Sequence, residues 1–293
     1  MIEQGFQGAF DPAYSGGAFI GASDSYESAR AVIYGMPMDW TTSFRPGTRL
    51  GPRRIREVSI GLEEYSPYLD RLLSDVPFFD VGDIPLPFGN ASRSLDMIED
   101  YVSQWVADDK FVLGLGGEHL VTLGVLRGIQ RKYENIHVVH LDAHTDLRDQ
   151  YEGEALSHSA VIKKIADRIG PDRIYQFGIR SGMQEEFAYA RANTHFHPFD
   201  VLEPLQKCLP ELKGKPIYVT LDIDVLDPAF APGTGTAEAG GISSKELLAS
   251  IHAMKDLNVV GFDLVEVAPQ LDAAEQTQIV AAKMVREALL TFL

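Results

Sequence analysis

The hydrophobic residues of this chain form short continuous runs that are separated by longer stretches of mixed character. The runs are rich in β-branched and aromatic residues, and they lack the regular polar alternation of a strand with one solvated face. We therefore predict strands that are buried on both faces, as in parallel sheets. The predicted strands are Ala31–Tyr34, Val76–Phe79, Phe111–Leu113, Ile136–Leu141, Ile174–Phe177, His195–His197, Ile217–Leu221 and Val259–Phe262.

Most of the stretches between these runs carry apolar residues at helical spacing. Two such sets are Leu95, Ile98, Val102 and Trp105, and Leu247, Leu248, Ile251 and Met254. Pro52 suits the first turn of a helix, and Ser243 followed by Glu246 matches a capping box. This alternation predicts a parallel sheet covered by helices. An open three-layer sandwich and a closed eight-stranded barrel both fit the pattern.

Nothing in the pattern divides the chain. Its 293 residues contain no internal repeat, charge block or low-complexity tract, so we expect one domain over residues 1–293. Residues 1–22 are weakly patterned and are expected to form an arm on the surface or at a subunit contact. The single cysteine, Cys208, lies in the amphipathic segment Leu205–Leu209 and is expected to be structural.

The charge balance narrows the range of partners. Lys and Arg total 26 against 42 Asp and Glu, a formal net charge of -16, which repels nucleic acid and anionic membrane surfaces. The same field attracts a small cation, although acidity also serves solubility alone. Met1–Phe6 has no basic segment followed by an apolar run, and no apolar stretch is long enough to span a bilayer. These features predict a cytoplasmic protein.

Acidic and imidazole side chains follow three of the predicted strands. The segments are Gly116–His119, Asp142–Asp146 and Asp222–Asp224. Residues at the carboxyl ends of parallel strands converge on one edge of a sheet or barrel, so these segments are expected to meet. A lone Asp-x-Asp is more often a turn or a cap, but three convergent segments favour a metal site.

The spacing within these segments gives a ligand set. Asp142, His144 and Asp146 alternate along an extended segment and are expected to project to one side, and Asp222 and Asp224 repeat this geometry. Four adjacent carboxylates repel one another unless positive charge lies between them, and two divalent cations would supply it. A set rich in oxygen and free of thiolate favours Mn²⁺, with Mg²⁺ or Fe²⁺ as alternatives.

Together these motifs resemble the ureohydrolase family of arginase and agmatinase. The resemblance covers nearly the whole chain. The matching segments are Gly47–Arg56, Gly116–His119, Asp142–Asp146, Ser157–His158, Leu221–Pro228, Ala231–Thr236, Gly240–Gly241 and Asp263–Pro269. It implies a three-layer α/β/α sandwich with an eight-stranded parallel sheet, and a homotrimer or homohexamer.

The resemblance also implies two Mn²⁺ ions per subunit. By motif position, one ion is expected at His119, Asp142, Asp146 and Asp222, and the other at Asp142, His144, Asp222 and Asp224. The implied reaction is attack on a guanidinium carbon by a hydroxide that bridges the two ions.

Three residues are expected to act on the substrate. By the same resemblance, His158 delivers a proton to the leaving amine and Glu266 pairs with the guanidinium. Asp146 is expected to accept the remaining hydroxide proton. Without the resemblance, His158 reads as a surface histidine and Glu266 as half of a structural salt bridge.

The loop after the Asp142 segment bears on the substrate. Arginases supply Asn and Ser there for the ends of arginine, whereas Leu147–Leu156 departs from that pattern and is more similar to agmatinases. We expect hydrolysis of agmatine to putrescine and urea. Glu152 or Glu154 could face the distal ammonium, although a solvated acidic loop is the simpler interpretation.

Several alternatives remain open from the sequence. Another guanidino-acid hydrolase (guanidinobutyrase-like) or an arginase would use the same core. A dimetal phosphoesterase fits less well because no basic phosphate clamp is evident. A catalytically silent homologue is opposed by the complete residue set. Arg180 is expected at the entrance or in an ion pair, and His195 and His197 are expected to be structural.

Overall fold

The computed structural model describes residues 16–293, and its centre is an eight-stranded parallel sheet. The strand order across the sheet is β4-β1-β5-β10-β9-β6-β7-β8. In chain order the strands are β1 (Ala31–Met36), β2 (Tyr65–Ser66), β3 (Arg71–Leu72), β4 (Phe78–Asp83), β5 (Phe111–Gly116), β6 (His137–Leu141), β7 (Ile174–Phe177), β8 (His195–His197), β9 (Pro216–Asp222) and β10 (Asn258–Val265). All eight predicted strands are confirmed.

Helices cover both faces of this sheet. They are α1 (Gly51–Ser59), α2 (Ala91–Ala107), α3 (Val121–Gln130), α4 (Val161–Ile169), α5 (Gln184–Asn193), α6 (Leu202–Leu212), α7 (Ser244–Ala253) and α8 (Gln276–Phe292). Helices α1, α6, α7 and α8 pack on one face, and α2 to α5 pack on the other. No helix within residues 16–293 is both long and apolar enough to cross a membrane.

The strands contribute alternate residues to two separate cores. In β5, Leu113 and Leu115 belong to the core under α1 and α8, whereas Val112 belongs to the core under α2 and α3. This double burial explains why the runs in the sequence are continuous. The sheet ends at β4 and β8, so it is open, and the three-layer α/β/α prediction is confirmed over the barrel.

One element was missed. Strands β2 and β3 form a separate two-stranded antiparallel hairpin in which Tyr65 pairs with Leu72. Strands of two residues are too short to show a hydrophobic period. The second predicted strand also began too early, because its first residue, Val76, lies before the start of β4 at Phe78.

Two assignments outside the sheet have different outcomes. Residues 1–15 of the expected N-terminal arm lie outside the described residues. Within the described part, Phe19 is buried and its N–H donates to Asp80 Oδ2 at 2.8 Å, so the chain packs on the fold at this residue. Cys208 is a buried free cysteine in α6, as expected for a structural residue.

The topology opens a crevice at the carboxyl edge of the sheet. Neighbouring strands β5 and β10 lead to α3 and α8, which lie on opposite faces, and the neighbours β6 and β9 lead to α4 and α7 in the same way. Loops that leave neighbouring strands in opposite directions separate, and ligands bind between them. The predicted metal-binding segments follow β5, β6 and β9.

A buried ion pair ties α1 to β4. The fully buried Arg56 side chain contacts Asp80 through Nε at 2.8 Å and Nη2 at 3.0 Å, and Nη1 lies 2.5 Å from Asp83 Oδ1. Phe19 adds its N–H to the same Asp80 carboxylate. Removal of the cation would leave two carboxylates without their main partner in the interior.

We expect Arg56→Met to lower the free energy of unfolding by about 3 to 5 kcal/mol, the usual cost of breaking a buried pair. Urea unfolding measures this value. Arg53→Met is the control, since the Arg53 side chain on the same helix is 54% exposed in its pair with Glu57, and its loss should cost far less because solvent screens the pair. Equal losses for the two variants would contradict the interpretation.

Candidate metal centre

The first group of candidate ligands surrounds the imidazole of His119. Its Nδ1 lies 3.1 Å from Asp142 Oδ2, 3.2 Å from Asp146 Oδ2 and 3.4 Å from Asp222 Oδ2. All four side chains are buried. None of these contacts has hydrogen-bond geometry, so among the residues described this nitrogen has no partner.

The other ring nitrogen of His119 fixes the tautomer. Thr122 donates its hydroxyl hydrogen to Asp263 Oδ2 at 2.7 Å, so it accepts from Thr220 at 3.3 Å. Thr220 therefore accepts from His119 Nε2 at 2.9 Å. Nδ1 is left with a lone pair that faces three carboxylates. A cation between these atoms would satisfy all of them.

The second group lies beside the first. His144 Nδ1 is 3.0 Å from Asp224 Oδ2 and 3.6 Å from Asp142 Oδ1. Within residues 16–293, Asp224 Oδ2 is a buried oxygen with no hydrogen-bond partner. Asp142 thus faces both groups with its two oxygens, which suits a carboxylate that bridges two ions.

Backbone hydrogen bonds hold the carboxylates in place. Asp222 ends β9 and accepts from the N–H of Asp224 at 2.9 Å, which closes a short 3-10 turn. Asp224 in turn accepts from the N–H of Ala143, which follows the neighbouring strand β6, at 3.1 Å. The predicted extended alternation ends before Asp146, whose φ of 51° is left-handed. The Asp146 side chain nevertheless reaches His119.

The buried carboxylates of this cluster repel one another, and a cation between them would stabilise their ionised form. Burial, followed by the charges of Asp224 and Asp142, raises the pKa of Asp222 well above its usual value. The buried ring nitrogen and carboxylate oxygen without partners lie at the two places where ions are expected. The donor set of imidazole and carboxylate fits divalent transition metals better than structural zinc, which usually takes thiolates.

Glu266 lies beside the first group, and His158 lies next to Glu266. Glu266 follows β10 with a left-handed φ of 65°, and its Oε1 accepts from the His119 N–H at 2.7 Å. Burial raises the pKa of Glu266 to about 8. His158 Nδ1 lies 3.8 Å from Glu266 Oε1. A carboxylate buried in this way would be stabilised by a cationic ligand.

A cavity of about 290 Å³ lies beside the two groups. His144, Asp146, Asp222, His158 and Glu266 form part of its wall. Its other lining residues are Ser43, Thr145, Arg148, Tyr151, Ser159, Ser181, Gly182, Met183, Glu186 and Thr236. Glu152 and Glu154 are exposed and do not line this cavity, which agrees with a solvated acidic loop.

Comparison with known proteins is consistent with this geometry. A model of the arginase family matches residues 29–291. The agmatinase of Bacillus cereus is 63% identical over 96% of this chain and 98% of that protein. The chain belongs to the arginase family.

Further members of the arginase family agree over the same length. The agmatinase of Bacillus subtilis is 62% identical over 97% of this chain and 99% of that protein. The solved structure of the agmatine ureohydrolase of Thermoplasma volcanium is 32% identical, with a TM-score of 0.84 over 94% of both chains. The family resemblance read from the motifs is confirmed.

The structure brings every predicted site residue of this arginase-family chain to one region. These residues are His119, Asp142, His144, Asp146, His158, Asp222, Asp224 and Glu266. Their individual roles stay predictions. Thr234 pairs with Val267 in the backbone beside Glu266.

Sequence reasoning missed His140, a buried histidine of β6. Its Nε2 lies 2.7 Å from Asp142 Oδ2, and its Nδ1 lies 3.2 Å from Gln176 Nε2. Gln176 Nε2 also donates to Thr145 O at 3.0 Å, so the amide nitrogen is a donor and His140 Nδ1 an acceptor. His140 is therefore a neutral donor to Asp142. Its spacing of two residues from Asp142 was the available signal.

The remaining polar candidates are structural. Arg180 donates to backbone carbonyls, among them Asp224 O at 2.6 Å and Glu238 O at 2.8 Å, so it holds the loop after β9 instead of an ion pair. His195 stacks on Tyr175 with ring centroids 4.0 Å apart. His197 stacks on Phe177, and its Nε2 lies 3.3 Å from the sulfur of Cys208.

Proposed function

We propose that this protein hydrolyses agmatine to putrescine and urea with two manganese ions bound per subunit. The observation that carries the proposal is that the two His and Asp groups lie side by side and expose His144, Asp146 and Asp222 to a cavity that the buried Glu266 also lines. The agmatinase of Bacillus cereus, 63% identical over nearly the full length, supports the choice of substrate. The proposed product, putrescine, links the activity to polyamine biosynthesis.

The ligands divide between the two groups. His119, Asp142, Asp146 and Asp222 would hold one ion, and Asp142, His144, Asp222 and Asp224 would hold the other. When bound, the ions neutralise the carboxylates and lower the pKa of the water that attacks the substrate. The oxygen-rich donor set supports manganese.

Glu266 orients the substrate. A guanidinium is planar and permanently charged, and a carboxylate can accept two parallel hydrogen bonds from it. Because Glu266 is 3% exposed, water competes little for this pair. The cation also restores the ionised form of a carboxyl group whose pKa burial has raised to about 8.

His158 supplies a proton to the nitrogen that leaves. Its Nδ1 lies 3.8 Å from the Glu266 carboxylate, so a guanidinium held by Glu266 comes within reach of the ring. An amine leaves readily only when it is protonated, and imidazole transfers protons near neutral pH. Asp146 lines the same cavity and accepts the proton that the attacking oxygen gives up.

The loop Leu147–Leu156, which contributes Arg148 and Tyr151 to the cavity wall, bears on the choice of substrate. The loop Leu147–Leu156 does not offer the Asn and Ser that arginases use for arginine, which supports agmatine. One observation favours a second candidate, a guanidino acid such as 4-guanidinobutyrate. Arg148 lines the cavity and could pair with a carboxylate, although its Nε already lies 3.7 Å from Glu186.

A substrate panel tests the function. Urea release is measured from agmatine, arginine and 4-guanidinobutyrate, with Mn²⁺ and after chelation, and putrescine is identified as a product. We expect kcat/KM for agmatine to exceed the other two by about 100-fold or more, and chelation to abolish release. Preference for 4-guanidinobutyrate would replace agmatine. Mn²⁺-loaded protein that releases no urea from any guanidine would indicate a silent homologue.

Assembly and location complete the proposal. A homotrimer or homohexamer and a cytoplasmic location are proposed from the family resemblance. Light scattering of the purified protein measures the first, and cell fractionation measures the second.

A further inference from the structure

The second ring nitrogen of His158, Nε2, faces Ser43, an exposed residue in the wall of the cavity. Ser43 donates its backbone N–H to His158 Nε2 at 3.3 Å, and Ser43 Oγ lies 3.0 Å from the same atom. A backbone N–H can only donate, so Nε2 carries the lone pair and Nδ1 carries the hydrogen. The hydrogen of the ring thus points toward Glu266 and the cavity.

The loop that carries Ser43 is fixed against the site on both sides. Thr41 donates its N–H to the buried Glu118 at 2.8 Å, and its hydroxyl accepts the N–H of His158 at 3.0 Å. Arg45 donates through Nε to Gly235 O at 2.9 Å. These hydrogen bonds fix both the loop of Ser43 and the backbone of His158, so the contact between the two residues is fixed as well.

The two groups of Ser43 differ in what they can do. The N–H keeps its proton, whereas a hydroxyl can donate to Nε2 in one state and accept from it in another. Ser43 is exposed, while the His158 side chain is 12% exposed. A substrate in the cavity would cover the Nδ1 side of the ring. The Ser43 hydroxyl then connects Nε2 with solvent.

We propose that Ser43 is a positioning residue that fixes the tautomer of His158 and passes protons between its Nε2 and solvent water. The inference rests on the proposed function, because it acts only through the acid role of His158. It adds a route by which the ring gains a proton at Nε2 while substrate covers its Nδ1 side.

The protons balance over one cycle. Nε2 takes a proton from the Ser43 hydroxyl, which takes one from water, and the ring becomes an imidazolium. The ring then gives its Nδ1 proton to the leaving nitrogen and ends neutral. Afterwards the Nε2 proton returns through Ser43 to solvent, and Nδ1 takes one from water in the emptied cavity. The overall reaction consumes no net proton, since the water that is split releases one.

Ser43→Ala tests the relay because it removes the hydroxyl and keeps the N–H. We expect kcat for agmatine to fall about 10-fold in dilute buffer, with KM within about twofold and manganese content unchanged. Small buffer acids should restore the rate of this variant in proportion to their concentration. Ser43→Thr, which keeps a hydroxyl, should retain most of the activity.

Thr42→Ala is the matched control for disturbance of the loop, since the Thr42 hydroxyl contacts Asp39 O and does not contact His158. It should behave as the unmodified protein. A kcat equal to that of the unmodified protein in Ser43→Ala, or a loss that no buffer repairs and that Thr42→Ala shares, would overturn the relay.

His158→Asn distinguishes failure of the Ser43 relay from failure of the acid role of His158. If it slows turnover and Ser43→Ala does not, the relay fails and the acid role stands. If His158→Asn turns over normally, both fail. In the double variant we expect no further loss beyond His158→Asn, because Ser43 acts through the ring.

Discussion

His119→Ala is expected to lower manganese affinity by more than about 100-fold. Loss of a residue that only hydrogen-bonds to a metal ligand costs up to about 100-fold, and His119 is itself a proposed ligand. All three carboxylates of the first group face His119 Nδ1, at 3.1 to 3.4 Å. Alanine removes the imidazole nitrogen whose lone pair would bind the ion together with those carboxylates. Asp142→Asn should act on both ions, because Asp142 contacts both groups.

Metal content after gel filtration and thermal unfolding with and without Mn²⁺ measure this effect. A ligand that binds only the folded protein raises its melting temperature, so Mn²⁺ should stabilise the unmodified protein and not the His119→Ala variant. His137→Gln is the control, because His137 begins the strand β6 whose other end leads to Asp142. Full manganese binding by His119→Ala would refute the proposed ligand set.

Most of the sheet could be predicted because its inner strands are largely apolar runs with both faces buried. Both cores draw on alternate residues of the same strand, as Val138 and Val139 of β6 show. The hairpin of β2 and β3 gave no signal, since its strands have two residues each and depend on contacts with the rest of the fold. Strand ends also shifted by a few residues.

The convergence of the site was predictable for a topological reason. Parallel strands place their carboxyl ends on one edge, and β5, β10, β9 and β6 are neighbours there, so segments far apart in sequence meet. The left-handed backbone of Asp146 and Glu266 was not predictable, because only the surrounding loops impose it.

The supporting contacts escaped the sequence because no period connects their partners. His140 receives its hydrogen bond from Gln176, 36 residues later on the next strand. Ser43 meets His158 across 115 residues. These contacts decide which nitrogen of a ring carries a hydrogen. The motifs predict which side chains gather at the site, whereas the structure is needed to assign the direction of each hydrogen bond.

His158→Asn is expected to slow turnover of agmatine by about 100- to 10,000-fold while both metal ions remain bound. Described hydrogen-bond and ion-pair contacts of the ring are with Ser43 and Glu266, neither of which is a candidate ligand, so loss of the ring leaves the two His and Asp groups intact. Thr41 accepts from the backbone N–H of His158, which asparagine keeps. The asparagine carbonyl can still accept the Ser43 N–H, which limits disturbance of the loop. Metal content and kcat are measured on the same preparation, with His119→Ala beside it. The loss should appear in kcat, because Glu266 still binds the guanidinium, and equal metal loss in both variants would remove the separate acid role of His158.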